Sequence, residues 1–336
     1  MNKRAMIVIF SVVIAVLIGI MIWEISAHSS WNNFSAGSSP VSRAGLSPGV
    51  AFEFAAADVR ELDVDLLSEA VRIETGDGDK VVVEQTASRD IPSRDQIFCG
   101  LRGGILTVQS PVSGVYSCGP DVRVSSEVVV RIPESLRAAA NVETMSGRIQ
   151  AASLQFTDLS MQSASGSISL QNVTARETDL ETMSGDIDVA DCRLEALESE
   201  AASGSIQVEG DVAQTVQFES ASGAQYFRGT AGDFSASSAS GDIRAELEGT
   251  AGIRAETMSG TVEVTCPDAS RLQQIEAETA SGSVRIGVPR GTALQLNFES
   301  GSGTLSLDEA GGIRIGSGIA VDVETMSGDL SVRGLA

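Results

Sequence analysis

Glutamates that recur from Glu143 onward are the first candidates for chemistry in this sequence. They form a column of ten positions in which eight are glutamate: Glu143, Gln162, Glu181, Glu200, Glu219, Ser237, Glu256, Glu278, Glu299 and Glu324. If these positions are stacked, the carboxylates repel one another and must face water, pair with arginines or hold cations. Rows of oxygen ligands suit a divalent cation or a cationic partner. We favour a solvated acidic face, and we expect no metal or other cofactor.

Four cysteines are the second candidates. Cys99 and Cys118 flank an insertion, 93–119, and in an exported chain they are the natural disulfide pair, worth roughly 3 kcal/mol on a chain-entropy estimate. Cys192 and Cys266 lie four repeats apart. At about 4.8 Å per stacked strand they are too distant for a bridge, so we expect two small buried thiols.

The remaining composition argues against catalysis and against nucleic acid. The single histidine, His28, leaves no basis for a histidine-based triad, a zinc cluster or an imidazole general base. Carboxylates and arginines are spread by the repeat instead of converging at one place. We therefore expect no catalytic residues and no enzymatic activity. The net charge of −22 excludes nucleic acid as a partner.

A repeat organises these residues. The pentapeptide Glu-Thr-Met-Ser-Gly occurs four times, at Glu143–Gly147, Glu181–Gly185, Glu256–Gly260 and Glu324–Gly328, with degenerate copies between them. Aligned on the Ser-Gly pair, the copies share ten glycines: Gly147, Gly166, Gly185, Gly204, Gly223, Gly241, Gly260, Gly282, Gly303 and Gly328. Their spacing, mostly 19 residues, is right for one coil of a β-solenoid.

Apolar residues alternate with polar ones on both sides of each Ser-Gly pair. The position two residues after the glycine is apolar in nine copies of ten, the exception being Gln225, and the position four after it is always apolar or small. Alternation before the glycine predicts a second strand that leads into the corner. We expect the corner to need glycine because a sharp turn between strands commonly requires a positive φ.

One such coil cannot bury its own apolar face, so coils must stack. The sequence therefore predicts an all-β fold, a right-handed parallel β-solenoid (β-helix) of about ten 19-residue coils over residues 141–336. Residues 50–140 alternate without clear Ser-Gly corners, at Glu61–Leu66, Ala70–Glu74, Lys80–Glu84, Ile105–Val108 and Glu127–Ile132. They are typical of irregular opening coils.

The N-terminus predicts a membrane anchor. Ala5–Trp23 carries no charge and follows Lys3 and Arg4, so we expect a transmembrane helix within residues 1–26 and a C-terminal domain that is periplasmic or extracellular. The alternative is a signal peptide cleaved after Ala27. Residues 27–49, rich in Ser, Gly and Pro, are typical of a flexible tether.

At the other end, little sequence follows the last corner to cover the final coil. We expect Leu330–Arg333 to form an open strand edge. Asp329 and Arg333 there can act as gatekeeping charges against aggregation. In the alternative, the edge accepts a strand from a partner or from a second copy, which would make the chain a homo-oligomer.

Residues 50–333 resemble the bacterial β-strand-repeat family known as putative adhesins. The resemblance rests on Glu61–Glu84, on corners such as Thr182–Val189 and on Ser281–Leu307, and Ser-Gly-Asp-Ile appears in full at Ser184–Ile187. It implies a surface location without catalytic residues, and a link to the envelope-stress systems beside which family members often lie. We therefore expect a binding or scaffolding module with an envelope protein or polymer as partner. A self-stacking polymer similar to bactofilins and a carbohydrate-active β-helix enzyme are the alternatives.

Overall fold

The computed structural model describes most of the chain after its N-terminal segment. The described ranges are 45–88, 90–110, 126–308 and 312–335, with the backbone alone for Arg94. The predicted membrane segment and most of the predicted tether lie outside these ranges. Within them, no helix has both the length and the apolar character needed to cross a membrane.

The described residues form two compact units, 45–194 and 195–335, and the boundary falls inside one long strand. Strands dominate both units, and the described helical structure consists of two single 3-10 turns, Ala56–Asp58 and Ser93–Asp95. Most strands pair in parallel, as a solenoid requires. The all-β class is thus confirmed, whereas the hand and the number of coils stay predictions.

The first unit contains strands β1 to β13 and the start of β14. Their bounds are β1 Ser47–Gly49, β2 Ala51–Ala55, β3 Glu61–Leu66, β4 Ala70–Gly76, β5 Lys80–Ala87, β6 Ile97–Arg102, β7 Ile105–Gln109, β8 Ser126–Pro133, β9 Ala138–Thr144, β10 Ile149–Ala152, β11 Phe156–Ser163, β12 Ile168–Gln171, β13 Thr174–Thr182 and β14 Ile187–Ala201. The predicted opening segments coincide with β3, β4, β5, β7 and β8, and β1 lies at the end of the predicted tether.

Chain order and stacking order differ at the start of the first unit. Strand β3 pairs in parallel with β9 on one side and with β7 on the other, and β4 lies in the same way between β10 and β8. The coil that contains β7 and β8, although later in sequence, therefore stacks on the coil of β3 and β4, on the side away from β9 and β10. Antiparallel strands continue this cover, with β6 and β1 beyond β7 and with β5 and β2 beyond β8.

The second unit contains the end of β14 and strands β15 to β27. Their bounds are β15 Ile206–Ser220, β16 Gln225–Thr230, β17 Asp233–Ser238, β18 Ile243–Glu248, β19 Gly252–Thr257, β20 Val262–Asp268, β21 Gln274–Thr279, β22 Val284–Pro289, β23 Ala293–Ser300, β24 Leu305–Leu307, β25 Arg314–Ile315, β26 Ile319–Thr325 and β27 Leu330–Leu335.

The end of the chain corrects the prediction of an open edge at Leu330–Arg333. Strand β27 lies between β22 and β24, and β26 lies between β21 and β23, so the last coil in sequence is enclosed on both sides. Leu330 is fully buried. The outermost coil is the preceding one, formed by β23, β24 and β25, and we call it the outer coil. The error arose because sequence order was taken as stacking order.

The predicted apolar columns form the core. In register, Ile149 lies beside Ile168, and Ile168 beside Ile187, in the column two residues after the corner glycine. The exception Gln225 is buried between Ile206 and Ile243, where its Nε2 donates to the Ser237 carbonyl at 2.7 Å. A second cluster packs three phenylalanine rings, Phe218, Phe227 and Phe234, with centroids 5.5 to 6.2 Å apart.

The Ser-Gly corner needs glycine for a different reason from the one predicted. The corner glycines are absent from the described residues with positive φ, so the left-handed conformation is not the cause. A Cβ added at Gly166 would instead lie 1.8 Å from the carbonyl oxygen of Gly147, the glycine of the neighbouring corner. A Cβ added at Gly241 would lie 1.9 Å from the carbonyl oxygen of Gly223. The glycines thus form a ladder too close for any side chain.

Buried hydroxyl groups tie this glycine ladder together. At five of the corner glycines, the hydroxyl of the Ser or Thr three residues earlier accepts the glycine N–H, for example at 2.8 Å for Ser163 with Gly166 and 2.9 Å for Thr182 with Gly185. The Thr182 hydroxyl in turn donates to the Gly166 carbonyl at 3.4 Å. In the first two copies of the pentapeptide, Thr144 and Thr182 are therefore caps that satisfy a buried backbone donor.

Positive φ occurs at a second corner, after the strand that leaves the Ser-Gly turn. Ser153, Asn172 and Asp191, spaced by 19 residues, have φ of 58°, 53° and 55°. Asn172 donates through Nδ2 to the Ser153 hydroxyl at 3.2 Å, so the corners are joined from coil to coil. Asn and Asp tolerate this conformation better than most residues, which explains their presence there.

Candidate binding face

Two outward surfaces flank each Ser-Gly corner. We call the outward side chains of the strands leading into the corner the pre-corner face, and those of the strands leaving it the post-corner face. The glutamate column lies on the pre-corner face, four residues before each corner glycine. Because neighbouring coils are in register, each column presents one side chain per coil.

In the first unit, the pre-corner face begins with the acidic strand β3. Asp63 pairs in register with Asn141, and Asp65 with Glu143. Burial, with the nearby charges of Glu143 and Glu61, raises the pKa of Asp63, while a hydrogen bond from Asn141 opposes the rise. A shallow open groove of about 280 Å³ runs across β3, β9, β11 and β13 on this face.

In the second unit, four glutamates occupy successive coils of the pre-corner face. Glu256 pairs in register with Glu278, Glu278 with Glu324, and Glu324 with Glu299. Burial and the adjacent charges of Glu256 and Glu324 raise the pKa of Glu278 to about 7, against the opposing effect of Arg254. At least this position of the column is therefore half-buried, not the freely solvated carboxylate that the sequence predicted.

Arg254 forms ion pairs with two glutamates of this acidic surface. Its guanidinium bonds Glu256 on its own strand and lies 3.2 Å from Glu276 on the next coil. A groove of about 310 Å³ opens beside it, lined by Gln217, Phe234 and Gln274 among others. The groove is open to solvent and suits an extended surface contact better than an enclosed small molecule.

The post-corner face is balanced in charge. Arg131 binds Glu74 at 2.9 Å and Glu84 at 2.6 Å in the first unit. In the second unit, Glu263 lies between Arg244 at 3.1 Å and Arg333 at 3.3 Å. Arg333, predicted as a gatekeeper of an open edge, thus serves as an ion-pair partner inside the stack.

The contrast between the faces is clearest in the second unit. The pre-corner strands β17, β19, β21, β23 and β26 contain seven acidic residues and one arginine. The post-corner strands β16, β18, β20, β22, β24 and β27 contain four acidic residues and four arginines. Charge is therefore segregated between two surfaces of the same coils.

The cysteines fall in three buried positions and one outside the described residues. Cys99 is buried on β6, but its predicted partner Cys118 lies outside those residues, so the disulfide stays a prediction. Cys192 and Cys266 are buried without a disulfide, as predicted. Burial raises the pKa of the Cys266 thiol to about 12, which makes it a poor nucleophile.

Over the described part of the chain, no group of three or more His, Cys, Asp and Glu side chains is placed to hold a metal ion.

Sequence reasoning also missed Glu69, a buried carboxylate at the first corner of the stack. Its Oε2 accepts from the Ser110 hydroxyl at 2.9 Å and from the Ser68 N–H at 3.0 Å. The sequence did contain a sign of this carboxylate, because Glu69 is a charged residue at the position where the later coils have the corner glycine.

Three solved bacterial structures are similar to this chain. A structure described as a putative adhesin from Parabacteroides distasonis ATCC 8503 has 14% identity and a TM-score of 0.46, and the alignment covers 85% of this chain and 96% of that one. One from the same organism, described as a putative lipid binding protein, has 17% identity and a TM-score of 0.46, with coverages of 86% and 98%. A putative adhesin from Bacteroides fragilis NCTC 9343 has 10% identity and a TM-score of 0.39, with coverages of 84% and 96%.

No curated protein matches the sequence. Residues 59–333, which include the corners, the capping hydroxyls and both faces, match the family described as Toastrack DUF4097. This match spans most of the chain and agrees with the resemblance read from the repeated corners. The chain belongs to the Toastrack DUF4097 family.

Proposed function

We propose that this chain is a membrane-anchored, extracytoplasmic binding or scaffolding module of the cell envelope, adhesin-like and linked to envelope stress, with the pre-corner face as its binding surface. The anchor is inferred from the uncharged segment Ala5–Trp23 and its basic flank, and the tether from the Ser, Gly and Pro content of residues 27–49. We assign no catalytic role, because the carboxylates are distributed by the repeat.

Segregation of charge carries the proposal. Seven acidic residues against one arginine on strands β17, β19, β21, β23 and β26 of the second unit leave a surface whose like charges repel, and burial together with this repulsion raises the pKa of Glu278. Folding alone would favour the balanced arrangement that the post-corner strands have. A basic surface on an envelope protein or polymer would relieve the repulsion and would associate quickly through long-range attraction.

The glycine ladder suits the surface to this role. Backbone contacts too close for a side chain fix the spacing of successive coils, so each outward column has one spacing and one direction. Pre-organised columns lose little conformational entropy when a partner binds. A repetitive partner, such as a polymer or a basic extended segment, is the type of ligand that such columns match.

In-cell photo-cross-linking tests the binding surface. A benzophenone amino acid replaces Gln217 on the pre-corner face or Gln207 on the post-corner face, two exposed glutamines of the same strand. We expect adducts from position 217 that weaken with added salt, and few from position 207. Equal adducts from both positions, or none from position 217, would contradict the proposed face.

The anchor is tested separately, by deleting residues 5–23 from the full chain. We expect the intact chain to stay with membranes after alkaline extraction and the deleted chain to be released or retained inside the cell. A second measurement, protease accessibility in spheroplasts, checks the side of the membrane. Extraction of the intact chain by alkali would refute the anchor without affecting the proposed face.

A further inference from the structure

The last two coils of the second unit are stacked in the reverse of their order in the chain. A Cβ added at Gly328 would lie 1.7 Å from the carbonyl oxygen of Gly282, and one added at Gly303 would lie 1.8 Å from that of Gly328. The glycine ladder therefore runs from Gly282 to Gly328 and only then to Gly303. The outer coil, which contains Gly303, lies beyond the coil that follows it in sequence.

The spacing of the repeat identifies the outer coil as an insertion. Gly282 and Gly328 are neighbours in the ladder but 46 residues apart in the chain. Excising the 27 residues 292–318 would place them 19 residues apart, which is the commonest spacing of the repeat. In register, β26 pairs with β21 and β27 pairs with β22, as in a regular successor coil. The stack is therefore regular through β26 and β27 without the outer coil.

The outer coil fills a long strand edge. Residues 294–300 of β23 pair in parallel with residues 319–325 of β26, and β24 pairs with β27 after the same corner. Under this cover Val321 and Leu330 are fully buried, whereas Leu305 on β24 is 43% exposed. The outer coil thus completes the burial of the coil beneath it, as a bound ligand completes the burial of its site.

The edge that the outer coil itself presents is shorter than the edge that it covers. Strand β25 occupies the outer side of β23 beside Ala293 and Leu294, and Gly316 donates its N–H to the Leu294 carbonyl at 2.8 Å. A further strand therefore cannot pair along the whole outer side of β23. Strand β24 is only three residues long. Short edge strands and covering segments are the means by which proteins prevent unwanted strand pairing.

The sequence of β23 shows which kind of segment the covered edge accepts. The side chains of Leu294, Leu296 and Phe298 lie on the core side of β23, at alternate positions. Residues 292–300 carry a single charged side chain in a protein of net charge −22. An extended segment with alternating apolar residues and few charges therefore fits this edge, through main-chain hydrogen bonds and the burial of alternate side chains.

We propose that the outer coil is an autoinhibitory cap, which fills a strand-accepting site on β26 and β27 with a segment of the same chain. The site accepts an extended apolar segment in parallel with β26, in the register that β23 has in this structure. While the cap is in place, the end of the stack cannot capture strands of other chains. This inference is independent of the anchor and of the binding face proposed above.

Excision of residues 292–318 from the full-length chain, studied in detergent, tests whether the outer coil is a separable cap. A second variant joins Gly291 to Ile319 through two added glycines, which relieves any strain at the direct junction. We expect at least one variant to fold and to melt cooperatively by circular dichroism, because the remaining coils keep their regular register. If neither variant folds, the outer coil is an integral part of the core and the proposal is wrong.

A fluorescent peptide with the sequence of residues 292–300 probes the uncovered edge. We expect the excised chain to bind it at least about tenfold more tightly than the intact chain does, because β23 occupies the edge in the intact chain. Leu296→Ser in the peptide should weaken binding by roughly tenfold, since it removes an apolar side chain from the interface. Gln295→Ser, at an exposed position, is the matched control and should leave binding unchanged. Fluorescence anisotropy measures each affinity.

Cysteine cross-linking tests the register of the bound peptide. Asn297 pairs with Asp322 in this structure, and both residues are exposed. Neighbouring strands lie about 4.8 Å apart, within disulfide reach. The excised chain with Asp322→Cys should therefore cross-link to a peptide with Asn297→Cys, and much less to one with Gln295→Cys, whose partner in register is Ala320. Equal cross-linking of both peptides, or a folded excised chain that binds the peptide no better than the intact chain does, would overturn the proposal.

Discussion

Replacement of Glu278 by glutamine should stabilise the folded chain at neutral and alkaline pH. Its carboxyl has a pKa near 7, first because burial disfavours the charged form and then because Glu256 and Glu324 add like charge. A rise from the ordinary value of 4.5 would correspond to about 3 kcal/mol at 1.36 kcal/mol per unit. Since the group is only half-buried, screening by solvent reduces this to about 1 kcal/mol.

The direction of the pH dependence follows from proton linkage. The native state binds the proton more tightly than the unfolded state, so the free energy of unfolding falls as pH rises from about 4.5 to about 7. Glu278→Gln cannot ionise and should lose this contribution. At pH 8 we expect a melting temperature about 2–4 °C above wild type, and near pH 4 little difference.

Thermal melts of the full-length chain in detergent, from pH 4 to pH 8, measure the effect. Glu248→Gln is the matched control, because it removes one carboxylate from an exposed position on the post-corner strand β18. It should shift the melting temperature by much less at pH 8. A Glu278→Gln chain that is less stable than wild type at pH 8, or equally stabilised at both ends of the range, would refute the reasoning.

Three further predictions address the corner, the core and the acidic face. Gly166→Ala should cost more than about 3 kcal/mol, because its Cβ would meet the Gly147 carbonyl at 1.8 Å, while exposed Ser165→Ala should be nearly neutral; denaturant titration compares them. Ile187→Asp should lower the free energy of unfolding by more than about 3 kcal/mol because it buries a charge, whereas Asp188→Asn on the exposed side should be nearly neutral. Equal shifts of the melting temperature in the two variants would contradict our assignment of the buried and exposed sides of this strand. Calcium should raise the melting temperature no more than a calcium-free salt of equal ionic strength does, since a specific rise would reveal a native-state site.

The sequence predicted the strands and the buried columns well, since both follow from alternation. The bounds of β3, Glu61–Leu66, match the predicted segment, and Ile149, Ile168 and Ile187 lie in the predicted core column. Alternation reports which side of a strand is buried, and any coil that stacks in register must satisfy it. It carries no information about which coil is the neighbour.

That limit explains the errors. The columns are equally apolar in the last two coils. The sequence therefore could not distinguish the observed order, in which β27 lies between β22 and β24, from an order in which the coils stack in the order of the chain. The role of the corner glycine was misjudged for a related reason. A glycine that recurs in the sequence shows only that a Cβ is not tolerated at that position. A positive φ and a close backbone contact can each exclude the Cβ.

Hydrogen exchange at the last strand tests the stacking order, on which the assignment of the outer coil depends. We predict that the amides of residues 330–332 exchange as slowly as those of residues 284–286 in β22, because this part of β27 pairs with β22 on one side and with β24 on the other. Rapid exchange of residues 330–332 would contradict the enclosed coil and with it the assignment of the outer coil.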